Sequence, residues 1–276
     1  MRTDSSRLLH VGWRPYGEIQ PMIDRREFCM ALGAVLLPDH IFSGQKAGFI
    51  AKSFDNSHGQ TMPYRLFIPQ SYDKRKSYPL VLWLHGGAGR GNDNLKQISG
   101  GNILGSHVWI SSRNQLTNPC FVVAPQCPNG ELWATLDTAG PTRQLGFVLE
   151  LLQDLQRAFR LDVQRLYVAG QSMGGFGTWS LISQHPEMFA AAIPICGGGD
   201  VAKAPRLSRV PIWAFHGEKD EAVSVERSRR MISAVREAGG KATYTEYKGA
   251  GHVIWDQVFS EPGLIEWVFA QSKNTK

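Results

Sequence analysis

From about residue 48 the chain alternates short apolar runs with longer amphipathic ones. The short runs predict strands over Phe49–Phe54, Met62–Ile68, Leu80–Leu84, Phe121–Ala124, Leu166–Ala169, Ala191–Ile195, Ile212–Phe215 and Thr243–Tyr247. The middle ones are almost continuously apolar, the pattern of parallel strands covered on both faces. Between them lie helical periodicities. The clearest runs over Gln144–Phe159, with Leu145, Val148, Leu149, Leu152, Leu155 and Phe159 on one face. Others are Met173–His185, Val225–Ala238 and Gly263–Ala270. Asp55-Asn56-Ser57-His58-Gly59 reads as a hairpin-like turn between the first two strands. Alternating β and α predicts an α/β fold: a mostly parallel sheet of about eight strands with helices on both faces.

The first 47 residues follow another pattern. Asp24-Arg25-Arg26-Glu27-Phe28 precedes the apolar stretch Cys29 to Leu37. Paired arginines, then Phe, then about ten apolar residues is the pattern of a twin-arginine export signal. That stretch is too short to span a bilayer. Cleavage is expected within Ser43 to Ala47, although no clean A-x-A stands there, and Met22 is an alternative start. Residues 1–47 are therefore read as an export or N-terminal segment, and 48–276 as one catalytic-size domain. A periplasmic or secreted location is expected, with a cytoplasmic one left open.

At 276 residues and 42% hydrophobic, the chain can bury a large core. The net charge of +6 is spread over basic residues such as Arg143, Arg157, Arg229 and Arg236, with Glu150, Asp154, Glu226 and Glu237 nearby. Solvated helix faces account for that arrangement, so no nucleic-acid partner is expected. Four cysteines are too few for a disulfide scaffold. Cys120 and Cys127 bracket a strand-like run whose ends would lie about 20 Å apart, beyond disulfide reach. Cys196 reads as a small buried residue. No spacing suits a metal, and neither a phosphate-binding loop nor a dinucleotide fingerprint is present, so no cofactor is expected.

The candidate chemistry centres on Gly170-Gln171-Ser172-Met173-Gly174, a G-x-S-x-G between a strand and a helix. A turn that sharp strains the Ser backbone and exposes its hydroxyl, and flanking side chains would collide. An alcohol needs a base, and the base an orienting acid. Asp220 follows the strand at Phe215, and His252 lies in the Gly-rich loop after the last strand; both are past C-terminal strand ends, where such sheets place ligands. Glu218, Asp200 and Glu221 are rival acids. His85, His185 and His216 are rival bases, of which His85 and His216 fit loop-tying roles beside Gly. The tetrahedral intermediate needs two preset N–H donors. Met173 N–H, at the helix start, is one candidate. Gly87 N–H, in the loop His85 to Gly91, is the other.

The stretches Pro63 to Pro69, Tyr78 to Asp93 (YPLVLWLHGGAGRGND), Ala124 to Pro128, Val168 to Gly177 (VAGQSMGGFG), Phe215 to Asp220 and Gly251 to Trp267 span nearly all of 49–270. Together they resemble the α/β-hydrolase superfamily, and within it the secreted esterases around feruloyl esterases and polyhydroxybutyrate-depolymerase-like carboxylesterases. The resemblance implies Ser172, Asp220 and His252 as catalytic triad, met here in the family's chain order. It also implies that residues after the Pro125-Gln126-Cys127-Pro128 turn, Trp133 among them, wall the substrate cleft. Gln171, inside the pentapeptide, is taken with Trp133 as substrate-binding. Trp179 and Trp213 are expected in the core; Trp109 and Trp255 are left unassigned. No long lid insertion and no carbohydrate-binding module is recognised.

The expected function is a serine carboxylic-ester hydrolase for short-chain or aromatic, feruloyl- or acetyl-type, esters, small or polymer-linked. The alternatives are a polyester hydrolase, a prolyl-oligopeptidase-type peptidase and a non-catalytic binding module. Oligomeric state and ester specificity stay open.

Overall fold

The computed structural model describes residues 48–273 apart from 57 and 138–139. The expected export segment lies outside the described residues. The strands are β1 (Ile50–Asp55), β2 (Thr61–Phe67), β3 (Tyr78–Leu84), β4 (Phe121–Pro125), β5 (Leu161–Gln171), β6 (Ala191–Ile195), β7 (Ile212–Gly217) and β8 (Ala242–Tyr247). They form one sheet in the order β1-β2-β4-β3-β5-β6-β7-β8. β1 and β2 pair antiparallel, as does β2 with β4, and every other neighbouring pair is parallel. This is the α/β-hydrolase fold.

The helices are α1 (Ile103–His107), α2 (Ser112–Thr117), α3 (Arg143–Ala158), α4 (Met173–Gln184), α5 (Glu226–Glu237), α6 (Trp255–Phe259) and α7 (Leu264–Ala270). Strand side chains alternate between the two faces of the sheet. Leu80, Leu82, Leu84, Val168 and Ala214 face one layer, packed with Leu152 of α3, Trp179 of α4 and Met231 of α5. Val81, Trp83, Ala169, Ile193 and Phe215 face the other, with Val258 of α6, Val268 of α7 and Trp109. Both faces are covered, which is why the central strands read as unbroken apolar runs.

All eight expected strands are present, with ends shifted by a residue or two at most positions. β5 is the exception and starts five residues early, at Leu161. Asp162, Gln164 and Arg165 are polar because that first part of β5 is only partly covered. The buried face of α3 is wider than its apolar stripe suggested. Phe147 and Leu151 are buried as well, while Leu149 is only half-buried. The short helices α1, α2 and α6 carry too few turns to show a period. Cys120, Cys127 and Cys196 are free and buried. Among the described residues no helix is long and apolar enough to cross a membrane.

Candidate active site

β5 runs straight into Ser172, and α4 begins at the next residue. Ser172 holds φ 54° and ψ −116°, a conformation that L residues avoid. The Ser172 N–H donates to Ile195 O (2.8 Å), which ties the turn to β6. The two flanking glycines are required by space. A Cβ on Gly170 would stand 2.3 Å from Gly174 O, and one on Gly174 would stand 1.9 Å from Leu84 O. The strand, the turn and the helix therefore touch through backbone, and the serine side chain is left half-exposed.

Asp220 sits in the turn after β7, and His252 in the loop between β8 and α6. His252 Nε2 is 2.9 Å from Ser172 Oγ, and His252 Nδ1 is 2.7 Å from Asp220 Oδ2. Asp220 Oδ1 accepts from the N–H groups of Ala222 (2.9 Å) and Val223 (2.8 Å). Burial alone would push this carboxyl up. The His252 hydrogen bond and the two backbone donors outweigh it and hold Asp220 below the usual carboxylate range. The acid is thus kept ionised, and the imidazole keeps its proton on Nδ1. That leaves the Nε2 lone pair facing the serine hydroxyl.

The rival acids are used elsewhere. Glu218 accepts from Gly249 N–H (2.7 Å), and Asp200 caps the helical turn 201–207 through Ala202 N–H (3.0 Å). Glu221 is exposed on the outer side of the acid turn. His185 stands near Glu187, with 3.7 Å between Nδ1 and Oε1. His216 lies closer to the site than its loop-tying reading allowed. Its Nε2 is 3.1 Å from Asp220 Oδ2 and 2.9 Å from Val223 O, and its Nδ1 is 2.7 Å from Ser228 Oγ. Two oxygens face Nε2, so that nitrogen carries the proton and Nδ1 accepts from Ser228. Burial keeps this imidazole neutral, its pKa lowered.

Cys196, His216 and Asp220 bring a sulfur, a nitrogen and an oxygen within 4.8 Å of one another, a grouping that could be read as a metal site. The donors do not fit that use. The Nε2 proton of His216 occupies the nitrogen, four hydrogen bonds already fill Asp220, and burial pushes the Cys196 thiol well up.

The loop after β3 makes a tight turn at 87–89. Gly86 N–H donates to Asn102 Oδ1 (2.9 Å). The N–H groups of Gly87 and Met173 donate to no protein acceptor among the described residues. His85 underpins the loop. It is fully buried, its Nδ1–H donates to Gly86 O (2.6 Å), and its Nε2 accepts from Cys127 N–H (3.0 Å). Burial lowers its pKa to about 4.

Two expected substrate-facing residues are placed otherwise. Trp133 is fully buried, and its indole N–H donates to His85 O (3.1 Å). Its ring packs edge-on against His85, so it presents no face to a ligand and braces the loop after β3 from within. Gln171 is 3% exposed, with Nε2 donating to Gly101 O (2.8 Å) and Asn102 Oδ1 (3.1 Å). Its Nε2 is engaged internally, because the Gln side chain leaves the strand toward the 100–102 segment, while its buried Oε1 has no partner among the described residues. Trp179 is in the core as expected; Trp213, expected there too, is only half-covered, against the layer on the other face of the sheet, where Trp109 is buried. Trp255, unassigned from sequence, lies edge-on to the His252 ring at 5.5 Å. Asn102 also escaped the sequence reading: an Asn in a Gly-rich loop carries no periodic or motif signal.

Residues 128–257 match the dienelactone hydrolase family. A bifunctional acetylxylan esterase/xylanase of Neocallimastix patriciarum is 30% identical over 117 residues, which are 42% of this chain and 17% of that protein. Cutinase est2 of Thermobifida alba is 38% identical over 152 residues, 53% of this chain and 48% of the relative. The chain thus spans less than half the length of these curated relatives. Among solved structures, a thermostable esterase is 42% identical with a TM-score of 0.78, over 81% of this chain and 63% of that one. A ferulic acid esterase, 20% identical with a TM-score of 0.64, shares the fold over 80% of this chain and 99% of its own. Eight strands in hydrolase order, a strained serine between β5 and α4, and these likenesses agree: the chain has the α/β-hydrolase fold and resembles the feruloyl-esterase and polyhydroxyalkanoate-depolymerase-like carboxylesterases that share it.

Proposed function

We propose that the protein is a serine carboxylic-ester hydrolase that works through an acyl-enzyme. The observation that carries this is the chain Ser172 Oγ, His252, Asp220, with links of 2.9 Å and 2.7 Å. In this reading Ser172 attacks the ester carbonyl while His252 Nε2 takes its proton. The N–H groups of Gly87 and Met173 receive the oxyanion, since neither donates to an acceptor among the described residues. His252 then gives the proton to the departing alcohol. Water enters, loses a proton to the same nitrogen and releases the acid. Asp220 stays ionised throughout and steadies the imidazolium.

Ser172→Ala should retain the fold and lose p-nitrophenyl acetate turnover by at least about 10³-fold. Retention of most of the activity would sink the assignment. Short-chain and aromatic esters are the proposed substrates. The partial likeness to a cutinase and to a poly(3-hydroxyalkanoate) depolymerase favours polyesters as a second reading. A panel of p-nitrophenyl esters, methyl ferulate, acetylated xylan and a polyester film separates the two. Arg25-Arg26 and the apolar stretch after Phe28 support export by a twin-arginine route. Accumulation of an Arg25→Lys, Arg26→Lys variant outside the cytoplasm at the normal level would contradict that route.

A further inference from the structure

Asn102 is 2% exposed and touches both walls of the proposed oxyanion hole. Its Oδ1 accepts from Gly86 N–H (2.9 Å) on the β3 loop and from Gln171 Nε2 (3.1 Å) beside the nucleophile. Its Nδ2 donates to Lys96 O (3.1 Å). Two donors on one side and a carbonyl on the other leave a single orientation for this amide. Gln171 is oriented through its Nε2, which faces two acceptors, Gly101 O and Asn102 Oδ1, while its Oε1 has no partner among the described residues.

We infer that Asn102 is a positioning residue that sets the angle between the two oxyanion donors by clamping Gly86 to Gln171. Gly86 is extended, with φ −73° and ψ 176°. Successive N–H groups of an extended chain face opposite sides. Holding the Gly86 N–H on Asn102 therefore turns the Gly87 N–H away from Asn102 and keeps it unclaimed. On the other wall, Gln171 is the last residue of β5, and Met173 follows two residues later. Gly86 lies directly on the Gln171 side chain, where a Cβ would stand 3.4 Å from Cγ. The three residues close a triangle, and each oxyanion donor hangs from one of its corners.

This inference rests on the esterase reading of the same site. Asn102 touches no reacting atom. Its loss would loosen the aim of donors that matter most when the carbonyl oxygen carries full charge. Ground-state binding would change little.

The test uses full-length wild type, Asn102→Ala, Gln171→Met and Ser106→Ala. Ser106 Oγ bonds Asn102 O (3.0 Å) and Ile103 O (3.0 Å), so its loss loosens the same segment without touching Gly86. Asn102→Ala is expected to lower kcat for p-nitrophenyl acetate about 10- to 100-fold with KM within about threefold, less than deleting a donor outright. Affinity for a phenylboronic acid, which forms a tetrahedral adduct on serine, should fall by a similar factor. Gln171→Met should act in the same direction, and it carries the test if Asn102→Ala does not fold. Ser106→Ala should stay within about twofold of wild type in kcat. A kcat for both Asn102→Ala and Gln171→Met no lower than that of Ser106→Ala overturns the inference. So does a loss confined to KM, or a kcat loss with boronate affinity intact. A wild type without ester turnover would instead refute the underlying esterase reading.

Discussion

His85 turns acid into a selective stress on the loop after β3. Its imidazole is buried, donates from Nδ1 to Gly86 O and accepts at Nε2 from Cys127 N–H. Burial penalises the charged imidazolium, so the folded state resists protonation down to about pH 4. In the unfolded chain the same group titrates near 6.5. Between those values the unfolded state binds more protons, and stability falls as pH falls. At pH 5 nearly every unfolded molecule is protonated at this site, against about one folded molecule in ten, and the linkage comes to about 2 kcal/mol lost between pH 7 and pH 5. With a urea slope of about 2–3 kcal/mol per molar, the midpoint should drop by roughly 0.7–1 M from this residue alone. The measurement is urea unfolding, followed by tryptophan fluorescence, at both pH values. His85→Gln keeps an acceptor for Cys127 without a titrating group, and its midpoint should drop less by that amount. His107 and His216, whose pKa values are also lowered by burial, contribute equally in both proteins and cancel. Asp93 and Asp220 have depressed carboxyls, so their contribution is lost only below the unfolded value near 4. Equal midpoint drops in wild type and variant would refute the buried neutral imidazole.

Trp133→Phe should lose about 1–3 kcal/mol of stability through the missing hydrogen bond to His85 O. KM for p-nitrophenyl acetate should stay within about twofold; a tenfold change with an unaltered melting temperature would restore a place for the ring in the cleft. Gly174→Ala should abolish soluble, active protein, since its Cβ would meet Leu84 O at 1.9 Å. Gly146→Ala, in the first turn of α3 with nothing within 4 Å, should instead stabilise by up to about 0.5–1 kcal/mol in thermal unfolding. A neutral Gly174→Ala would mean that the backbone contact at the elbow is wrong.

The sheet was readable because β3 to β7 bury both faces, so each strand is marked by its own residues without reference to the rest. The order Ser172, Asp220, His252 was readable for a related reason: each falls just past a strand end, and strand ends are visible. What sequence could not show depends on which distant segments meet. The resemblance makes Trp133 a cleft wall because it follows the Pro125-Gln126-Cys127-Pro128 turn. Only the fold reveals that the loop turns inward and lays the ring on His85. Asn102 and Gln171 lie 69 residues apart, and their contact has no local signature. The contact of His216 with Asp220 likewise emerges only from the geometry of the turn after β7.

The close approach at the elbow bears on how this scaffold can change. Gly170 and Gly174 bring main-chain atoms of β5, α4 and β3 against one another, and Gly175 meets Gly197 in the same manner on the β6 side. Main chain offers no side chain to vary. The nucleophile's position is thus inherited with the fold and is closed to gradual adjustment. Diversification or engineering of what the protein hydrolyses has to act on the connections after β3 and β4, where side chains such as Ile103, Leu104 and Leu136 remain exposed. Libraries confined to those exposed positions should keep a working serine in most members, whereas libraries that include 170–175 would spend most of their diversity on chains that do not fold.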